Sequence, residues 1–122
     1  MIGYVTLGTN DLARAAQFYD ALAAEMNTPR MMETETYIAW AVPGGPAGVA
    51  ITSPYDGQTA TVGNGVMVAL EARDRAQVER LHALALAHGG SDEGAPGPRG
   101  EGFYAAYFRD PDGNKLNAFV LG

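Results

Sequence analysis

The chain has 122 residues, a formal net charge of -6 and no cysteine. A chain of this length forms one compact domain or two half-domains that share a core. The lack of cysteine excludes disulfides, thiolate nucleophiles and cysteine-ligated zinc. The negative charge argues against nucleic acid as a partner, because phosphate binding requires a basic surface. No apolar run approaches the roughly 18 residues that span a membrane, and no signal peptide is evident, so we expect a cytoplasmic protein.

The first half of the chain predicts one strand, one helix and three further strands. Apolar and polar residues alternate over 2–7, which favours a strand. Thr9, Asn10 and Asp11 are typical helix-capping residues, and apolar residues then recur at helical spacing over 12–25. Pro29 ends this pattern. Strands are predicted at 30–33, 37–42 and 48–53, with a Pro-Gly-Gly-Pro turn before the last.

The second half follows a connector over 54–65 that is rich in turn residues. A strand is predicted at 66–70, and Asp74 with Gln77 resembles a capping box that opens a helix ending near His88. Residues 91–102 are rich in Gly and Pro, and we expect them to form an irregular loop. The chain ends in a predicted hairpin, with strands at 103–109 and 115–121 around an Asp-Pro-Asp-Gly turn.

The two halves repeat one pattern with an offset of 63 residues. Residues 4–7 fall on 67–70, Asp11 falls on Asp74, and Phe18 falls on Leu81. Each half therefore predicts the order βαβββ, in modules 1–53 and 66–122. We expect an α+β fold of two curved mixed sheets, with helices on their outer faces and a cleft between the other faces.

The two histidines do not predict a metal site. His82 and His88 lie on one predicted helix, six residues apart, which places them roughly 240° apart around its axis. They cannot bind one ion together, and transition metals require several converging ligands. A carboxylate-only site at Asp110 and Asp112 is an alternative that we do not favour, because Asp in such a turn normally caps its own backbone.

Three segments carry a family resemblance. Residues 5–11 read Val-Thr-Leu-Gly-Thr-Asn-Asp, Phe18-Tyr19 follow, and residues 108–115 read Phe-Arg-Asp-Pro-Asp-Gly-Asn-Lys. Together they resemble the vicinal oxygen chelate superfamily, and most of all its glyoxalase/bleomycin-resistance branch. The resemblance implies metal ligands, usually His, Glu or Gln, on the first and last strands of each half. The matching positions hold Tyr4, Met67, Asn117 and a residue within 48–53, none of them a histidine or a carboxylate. The resemblance is therefore to a member without the usual metal ligands, and no cofactor is expected.

The faces of the strands that the resemblance assigns to the cleft predict a ligand site. By alternation these faces carry Tyr4, Thr6, Met67, Ala69, Lys115 and Asn117. Arg99 is the candidate partner for an anionic group, and a solvated loop arginine is the alternative. Aromatic residues on the wall strands are either site residues or core packing, and a one-residue slip in register would exchange Tyr104 and Phe108 for Phe103 and Tyr107. The predicted ligand-binding residues are Tyr4, Thr6, Trp40, Met67, Arg99, Tyr104, Tyr107 and Asn117.

These residues leave more than one function open. We favour a protein that binds a small organic molecule in a metal-free cleft. The alternative is a metal-independent lyase, isomerase or transferase acting on a small oxygenated substrate. In it Tyr104 or Tyr107 serves as the acid, Glu93 or Glu101 as the base, and Arg99 stabilises negative charge. A metal-dependent enzyme like lactoylglutathione lyase is a third possibility that the missing ligands disfavour. The resemblance also implies a homodimer, and the modules can pair within one chain or across two.

Overall fold

The computed structural model describes all of residues 1–122, which form eight strands and two helices. The first module contains β1 (Tyr4–Gly8), α1 (Leu12–Glu25), β2 (Arg30–Glu33), β3 (Tyr37–Trp40) and β4 (Gly48–Thr52). The second contains β5 (Val68–Glu71), α2 (Arg75–Ala87), β6 (Ser91–Pro98), β7 (Phe103–Arg109) and β8 (Lys115–Leu121). The longer helix has 14 residues, and neither helix has the length and apolar character needed to cross a membrane.

Each module forms one four-stranded sheet, and the two sheets have the same topology. The strand orders are β1-β4-β3-β2 and β5-β8-β7-β6. In each sheet the first strand is parallel to its neighbour and the other pairs are antiparallel. A helix connects the first strand of each module to the three that follow, as a mixed sheet requires. The expected α+β class with two βαβββ modules is confirmed.

The helices begin where the capping residues predict. Asp11 precedes α1 in extended conformation and accepts a hydrogen bond from the Arg14 amide. Asp74 does the same for α2 through the Gln77 amide. The two caps are the residues that the 63-residue offset aligns, so the repeat in the sequence is a repeat in the structure. The Gln77 side chain completes a variant of the capping box, because it accepts from the Arg73 amide, one residue before the cap.

The loop expected over residues 91–102 is wrong for most of its length, because Ser91–Pro98 forms the edge strand β6. It pairs with β7 in a register that shifts twice, between Asp92 and Gly94 and between Gly94 and Gly97. Such bulges remove the two-residue alternation by which a strand is recognised in a sequence. Glycine and proline are tolerated here because an edge strand pairs on one side only.

A single hydrophobic core joins the two modules. It contains 19 buried residues drawn from both helices and from the helix-covered faces of both sheets. Phe18 of α1 lies with its ring centre 6.3 Å from that of Phe108 in β7, and both side chains are fully buried. Burying an aromatic side chain of this size stabilises a fold by about 1.5–3 kcal/mol. Since both helix-covered faces meet in this core, the opposite faces of the two sheets point away from it.

A buried polar network closes the same junction. Asp110, at the end of β7, is 3% exposed and accepts hydrogen bonds at both carboxyl oxygens. Its Oδ2 accepts from the Tyr19 hydroxyl at 2.6 Å and from the Asn114 amide at 2.9 Å, and its Oδ1 accepts from the backbone amides of Asp112 and Asn114. Burial, followed by the charge of Asp110, raises the pKa of Tyr19 well above its ordinary value. Tyr19 therefore stays a hydrogen-bond donor and ties α1 to the hairpin of the second module.

The next acid in the turn extends this link to the first strand. The Asp112 side chain is 4% exposed. It accepts from the Thr9 hydroxyl at 2.6 Å and from the Asn10 amide at 2.9 Å, and it pairs with Arg14 at 3.3 Å. All three donors lie between β1 and the first turn of α1. The Asp-Pro-Asp-Gly turn therefore both closes its own hairpin and holds the beginning of the other module.

A second polar contact lies at the far end of α1. Glu25 pairs with Arg80 of α2 at 3.0 Å and accepts from the Gln77 side-chain amide at 3.2 Å. The Arg80 guanidinium, followed by the Gln77 amide, lowers the pKa of Glu25 below its ordinary value. The two helices are therefore held together most strongly when Glu25 is ionised.

Substituting Asp110→Ala should lower the free energy of unfolding by about 3 kcal/mol or more, because it leaves Tyr19 and Asn114 buried without an acceptor. Urea unfolding followed by circular dichroism measures the change. Asp56→Ala is the matched control, since Asp56 caps an exposed turn through the Gln58 amide, and it should cost about 1 kcal/mol or less. Equal losses in the two variants would contradict the role given to Asp110.

Acid should weaken the contact between the helices. Because the folded pKa of Glu25 lies below the unfolded value of 4.5, its contribution is complete above that pH and is lost as the pH falls through the folded pKa. Between about pH 5 and pH 3, the free energy of unfolding should therefore fall less in Glu25→Gln than in the unmodified protein. The difference between the two decreases should be less than about 1 kcal/mol. The exposed Glu35, which forms no ion pair, supplies the control variant Glu35→Gln, whose acid response should match that of the unmodified protein.

Candidate functional site

The first sheet has one face that no helix covers, here called the first open face. It carries Tyr4 and Thr6 of β1, Ala39 of β3 and Ala50 of β4, which alternate with the core residues of the same strands. Thr6, Ala50 and Ala39 lie side by side across three strands. Their small side chains leave a shallow floor, and larger side chains stand around it.

A cavity of about 440 Å³ lies on this face. Its lining comes from the first module alone, and most of the lining residues are apolar. Tyr4, Met31 and Met32 at its rim are 64%, 52% and 54% exposed, so nothing within the chain covers them. Pockets of this size, mostly apolar with a few polar groups, are typical of sites for small organic molecules. The flexible methionines can adapt to ligands of different shape.

Trp40 does not lie on the open face with Tyr4 and Thr6. It is 4% exposed and its ring lies 5.5 Å from that of Tyr19 in the core, although the residue is also part of the cavity lining. The indole Nε1 donates to Asp20 at 2.9 Å. Arg30, through a two-pronged hydrogen bond, lowers the pKa of Asp20, and the indole contributes to the same shift. Trp40 therefore supports the strand beneath the cavity and presents little surface to a ligand.

The second open face is the side of the second sheet that α2 does not cover. Ala69 of β5, Asn117 of β8 and Tyr107 of β7 lie side by side across it. Phe119 lies two residues beyond Asn117 on the same face, and its ring stacks on that of Phe103 at 5.6 Å. Met67, 41% exposed, lies just before β5. The face thus has a polar middle and an apolar end.

Tyr104 lies on the opposite side of β7 from Tyr107, because the two are three positions apart and side chains alternate along a strand. It is 9% exposed within the shared core. Its hydroxyl donates to Glu79 of α2 at 2.9 Å, and the Arg75 guanidinium lies 4.8 Å from its ring centre. The hydrogen bond to Glu79 raises the pKa of Tyr104. A tyrosine so placed cannot reach a ligand on the open face and is a weaker acid than a free one.

Arg99 lies beside the second open face just after β6. Its guanidinium is 5.6 Å from the centre of the Tyr107 ring, and its Nη2 donates to the Ala95 carbonyl at 2.6 Å. Lys115 approaches the same ring, with its Nζ 5.6 Å from the centre. Alternation along β8 predicts Lys115 on this face, although Lys115 is not among the predicted binding residues. Its cross-strand relation to Tyr107 could have been found from the hairpin register alone.

Asn117 is the most unusual residue of the second open face. It is 2% exposed, and its side chain forms no hydrogen bond. The Oδ1 atom is fully buried without a donor. Leaving such a group unpaired costs about 1–3 kcal/mol, so proteins rarely keep one without a use. An amide can donate and accept, and it faces the same side of the sheet as Lys115 and Phe119.

The residues present do not fit a metal ion of the kind that the resemblance implies. The matching strand positions hold Tyr4, Met67 and Asn117, and no group of three or more His, Asp or Glu side chains is arranged to hold a metal. Both carboxyl groups of the Asp-Pro-Asp-Gly turn are occupied by protein donors. His82 pairs with Asp92 at 2.9 Å on the other side of the module. We therefore derive no chemistry through a metal.

The chain matches the family model described as "Glyoxalase/Bleomycin resistance protein/Dioxygenase superfamily" over residues 1–118. It is similar to a crystal structure of a glyoxalase/bleomycin resistance protein from Albidiferax ferrireducens T118, with 36% identity and a TM-score of 0.92, covering 100% of this chain and 99% of that one. It is also similar to hypothetical protein SA1046 from S. aureus, with 26% identity and a TM-score of 0.75, covering 96% of this chain and 91% of that one.

A lactoylglutathione lyase from Agrobacterium tumefaciens shares the fold, with 19% identity, a TM-score of 0.69 and coverage of 98% of this chain and 92% of that one. At this identity the likeness concerns the fold alone. No curated protein matches the chain in sequence.

Proposed function

The chain belongs to the glyoxalase/bleomycin resistance protein/dioxygenase superfamily, and from this premise we propose that it binds a small organic molecule without a metal. The observation that carries the proposal is the apolar cavity of about 440 Å³ on the first open face. Tyr4 and Thr6 supply its polar groups, and Met31 and Met32 its adaptable apolar rim. We also propose, as expected from the sequence, that the protein is cytoplasmic.

The cavity on the first open face is not covered within the chain, and we propose that a second copy of the chain covers it. Both open faces expose apolar side chains, among them Tyr4 at 64% and Leu121 at 65%. The shared core holds these faces away from each other within one chain. We propose a homodimer in which the first open face of one copy lies against the second open face of the other. A ligand between them would then touch Tyr4 and Thr6 from one chain and Met67, Tyr107 and Asn117 from its partner.

An enzyme is a second candidate with less support. Of the two candidate acids, Tyr104 is bound to Glu79 on the helix side of the sheet, which leaves Tyr107 beside Arg99. Of the two candidate bases, Glu93 is already paired with Arg109 at 2.7 Å, and Glu101 is exposed in the turn between β6 and β7. Binding requires none of these groups to react, so the binding protein accounts for the site with fewer assumptions.

Substituting Thr6→Trp should block binding, because the indole would occupy the floor of the cavity without entering the core. A fragment library screened by thermal shift, with and without chelator, should give the same binders for the unmodified protein under both conditions and lose them in Thr6→Trp. Loss of binding by at least about tenfold corresponds to 1.4 kcal/mol or more. Thr61→Trp, on the exposed connector, is the control and should bind normally. A library without binders, or binding that chelator abolishes, would count against the proposal.

Sedimentation velocity should show a dimer at micromolar concentration. Tyr4→Glu places a charge on the face proposed to be covered and should shift the protein to monomer while its circular dichroism spectrum stays unchanged. Tyr55→Glu is the control, because Tyr55 is fully exposed on the connector. A protein that stays monomeric at all accessible concentrations would show that no second copy of the chain covers the cavity.

A further inference from the structure

Two cations on the second open face have no carboxylate partner. The chain has eight Lys and Arg residues and 14 Asp and Glu residues, so acidic partners are plentiful. Arg75 interacts with the Tyr104 ring and the Gly122 carbonyl. Arg99 and Lys115 form no ion pair, although both lie 5.6 Å from the centre of the Tyr107 ring. The cations that do pair with a carboxylate are Arg14, Arg30, Arg73, Arg80 and Arg109.

No nearby acid forms an ion pair with Arg99 or Lys115, and Glu101, two residues after Arg99, is exposed in a turn. Glu93 pairs with Arg109 at 2.7 Å. Glu71 lies opposite Phe119, four residues along β8 from Lys115, which is roughly 13 Å at the usual rise per residue. The two cations are therefore left with a positive local charge in a chain whose net charge is -6.

Arg99 is held in place by neutral groups. Its Nη2 donates to the Ala95 carbonyl at 2.6 Å. A Cβ added to Gly94 would lie 3.2 Å from Arg99 Nη2, and one added to Gly97 would lie 3.1 Å from Arg99 Nη1. The two glycines of β6 thus let the guanidinium lie close to the strand and against Tyr107. A guanidinium oriented in this way retains free donors that fit a carboxylate.

The buried Asn117 supplies an independent sign of a ligand. It lies directly across from Tyr107 and two residues from Lys115 on the same face. Its amide is unpartnered and its Oδ1 is fully buried. The Nδ2 group of this amide can donate to an acceptor on the open face, and a carboxylate oxygen placed beside Lys115 is such an acceptor.

The apolar end of the face completes the description of the ligand. Phe103 and Phe119 stack at 5.6 Å, and Phe119 follows Asn117 by two residues along β8. A molecule lying along β8 would therefore place an apolar body on the two rings and a charged end near Lys115. Burial against the rings favours binding, and the cations fix the direction in which the molecule lies.

We propose that the second open face recognises a carboxylic acid with an apolar body, its carboxylate held between Arg99 and Lys115 above Tyr107. This inference rests on the proposed small-molecule site and names the class of its ligand. No bond is made or broken in this binding. The carboxylate supplies the partner that neither cation has within the chain.

The only lysine of the chain is Lys115, which gives a direct measurement. Reductive methylation with ¹³C-formaldehyde keeps its charge, and the lysine signal in the NMR spectrum is the one that Lys115→Met removes. Benzoate, phenylacetate and octanoate are titrated, each beside its neutral primary amide. We expect the acids to shift the lysine signal saturably and to bind about tenfold or more tightly than the amides, since hydrogen bonds to charged groups are the stronger ones.

Variants distinguish the two cations from general surface charge. Their affinities are measured by ¹H–¹⁵N NMR titration, because the variants of Lys115 lack the lysine signal. Arg99→Met and Lys115→Met should each lower affinity for the acids about tenfold while leaving the amides unchanged. Lys115→Arg should keep the preference for acids. Arg73→Met is the control, because Arg73 is a paired cation at the start of α2, and it should bind both classes normally. Gly97→Ala should weaken acid binding through displacement of Arg99.

The outcomes separate this inference from the proposed function. Equal affinity for acids and amides overturns the carboxylate class and leaves a neutral small-molecule site standing. Acid binding that survives in both Arg99→Met and Lys115→Met places the anion elsewhere and overturns the assignment of these residues. If neither acids nor amides bind, the inference fails, and a fragment library without binders would then remove the proposed function as well.

Discussion

The carboxyl group of Asp110 is the interaction on which the arrangement of the two modules depends. It is buried at their junction and accepts four hydrogen bonds, from Tyr19 of the first module and from its own turn. A buried carboxyl group is stable only when its oxygens are satisfied, because removing it from water costs several kcal/mol. The two modules therefore pack with their helix-covered faces together, which leaves both other faces of the sheets open. The candidate site is a consequence of this packing.

Most of the fold could be predicted from local sequence signals. Asp11 and Asp74 fix the helix starts through side-chain hydrogen bonds to backbone amides a few residues away, and such interactions are visible in a short window of sequence. The final hairpin is equally local, because its turn sequence sets the register of β7 and β8. The strand β6 could not be recognised in this way. Its conformation is imposed by pairing with β7, and its bulges remove the alternation that would have revealed it.

The sequence predicts which candidate site residues lie on the open faces only where side chains alternate regularly along a strand. Tyr4, Thr6 and Asn117 lie on the open faces because their strands alternate regularly. Trp40 and Tyr104 lie on the helix side, although aromatic residues at the edge of a pocket and in a core have the same local pattern. Which side a strand turns to the helix depends on packing between distant parts of the chain. The position of Arg99 over Tyr107 depends on the same long-range pairing of β6 and β7.

The second open face lacks acidic side chains next to Asn117, and this accounts both for the missing metal ligands and for the two cations that have no partner. A metal centre of the usual kind would require imidazoles or carboxylates on the first and last strands of each module. A carboxylate near Asn117 would also lie beside Lys115 and Tyr107, where it would give the cations a partner within the chain. A face that retains free cations must therefore lack acidic metal ligands next to them. The acids that stabilise the fold lie elsewhere, with Asp110 and Asp112 in the module junction and Glu25 between the two helices. The side chains next to Asn117 on the second open face are those of Ala69, Tyr107 and Lys115, which are neutral or cationic. This local composition suits the anion proposed above better than a metal ion.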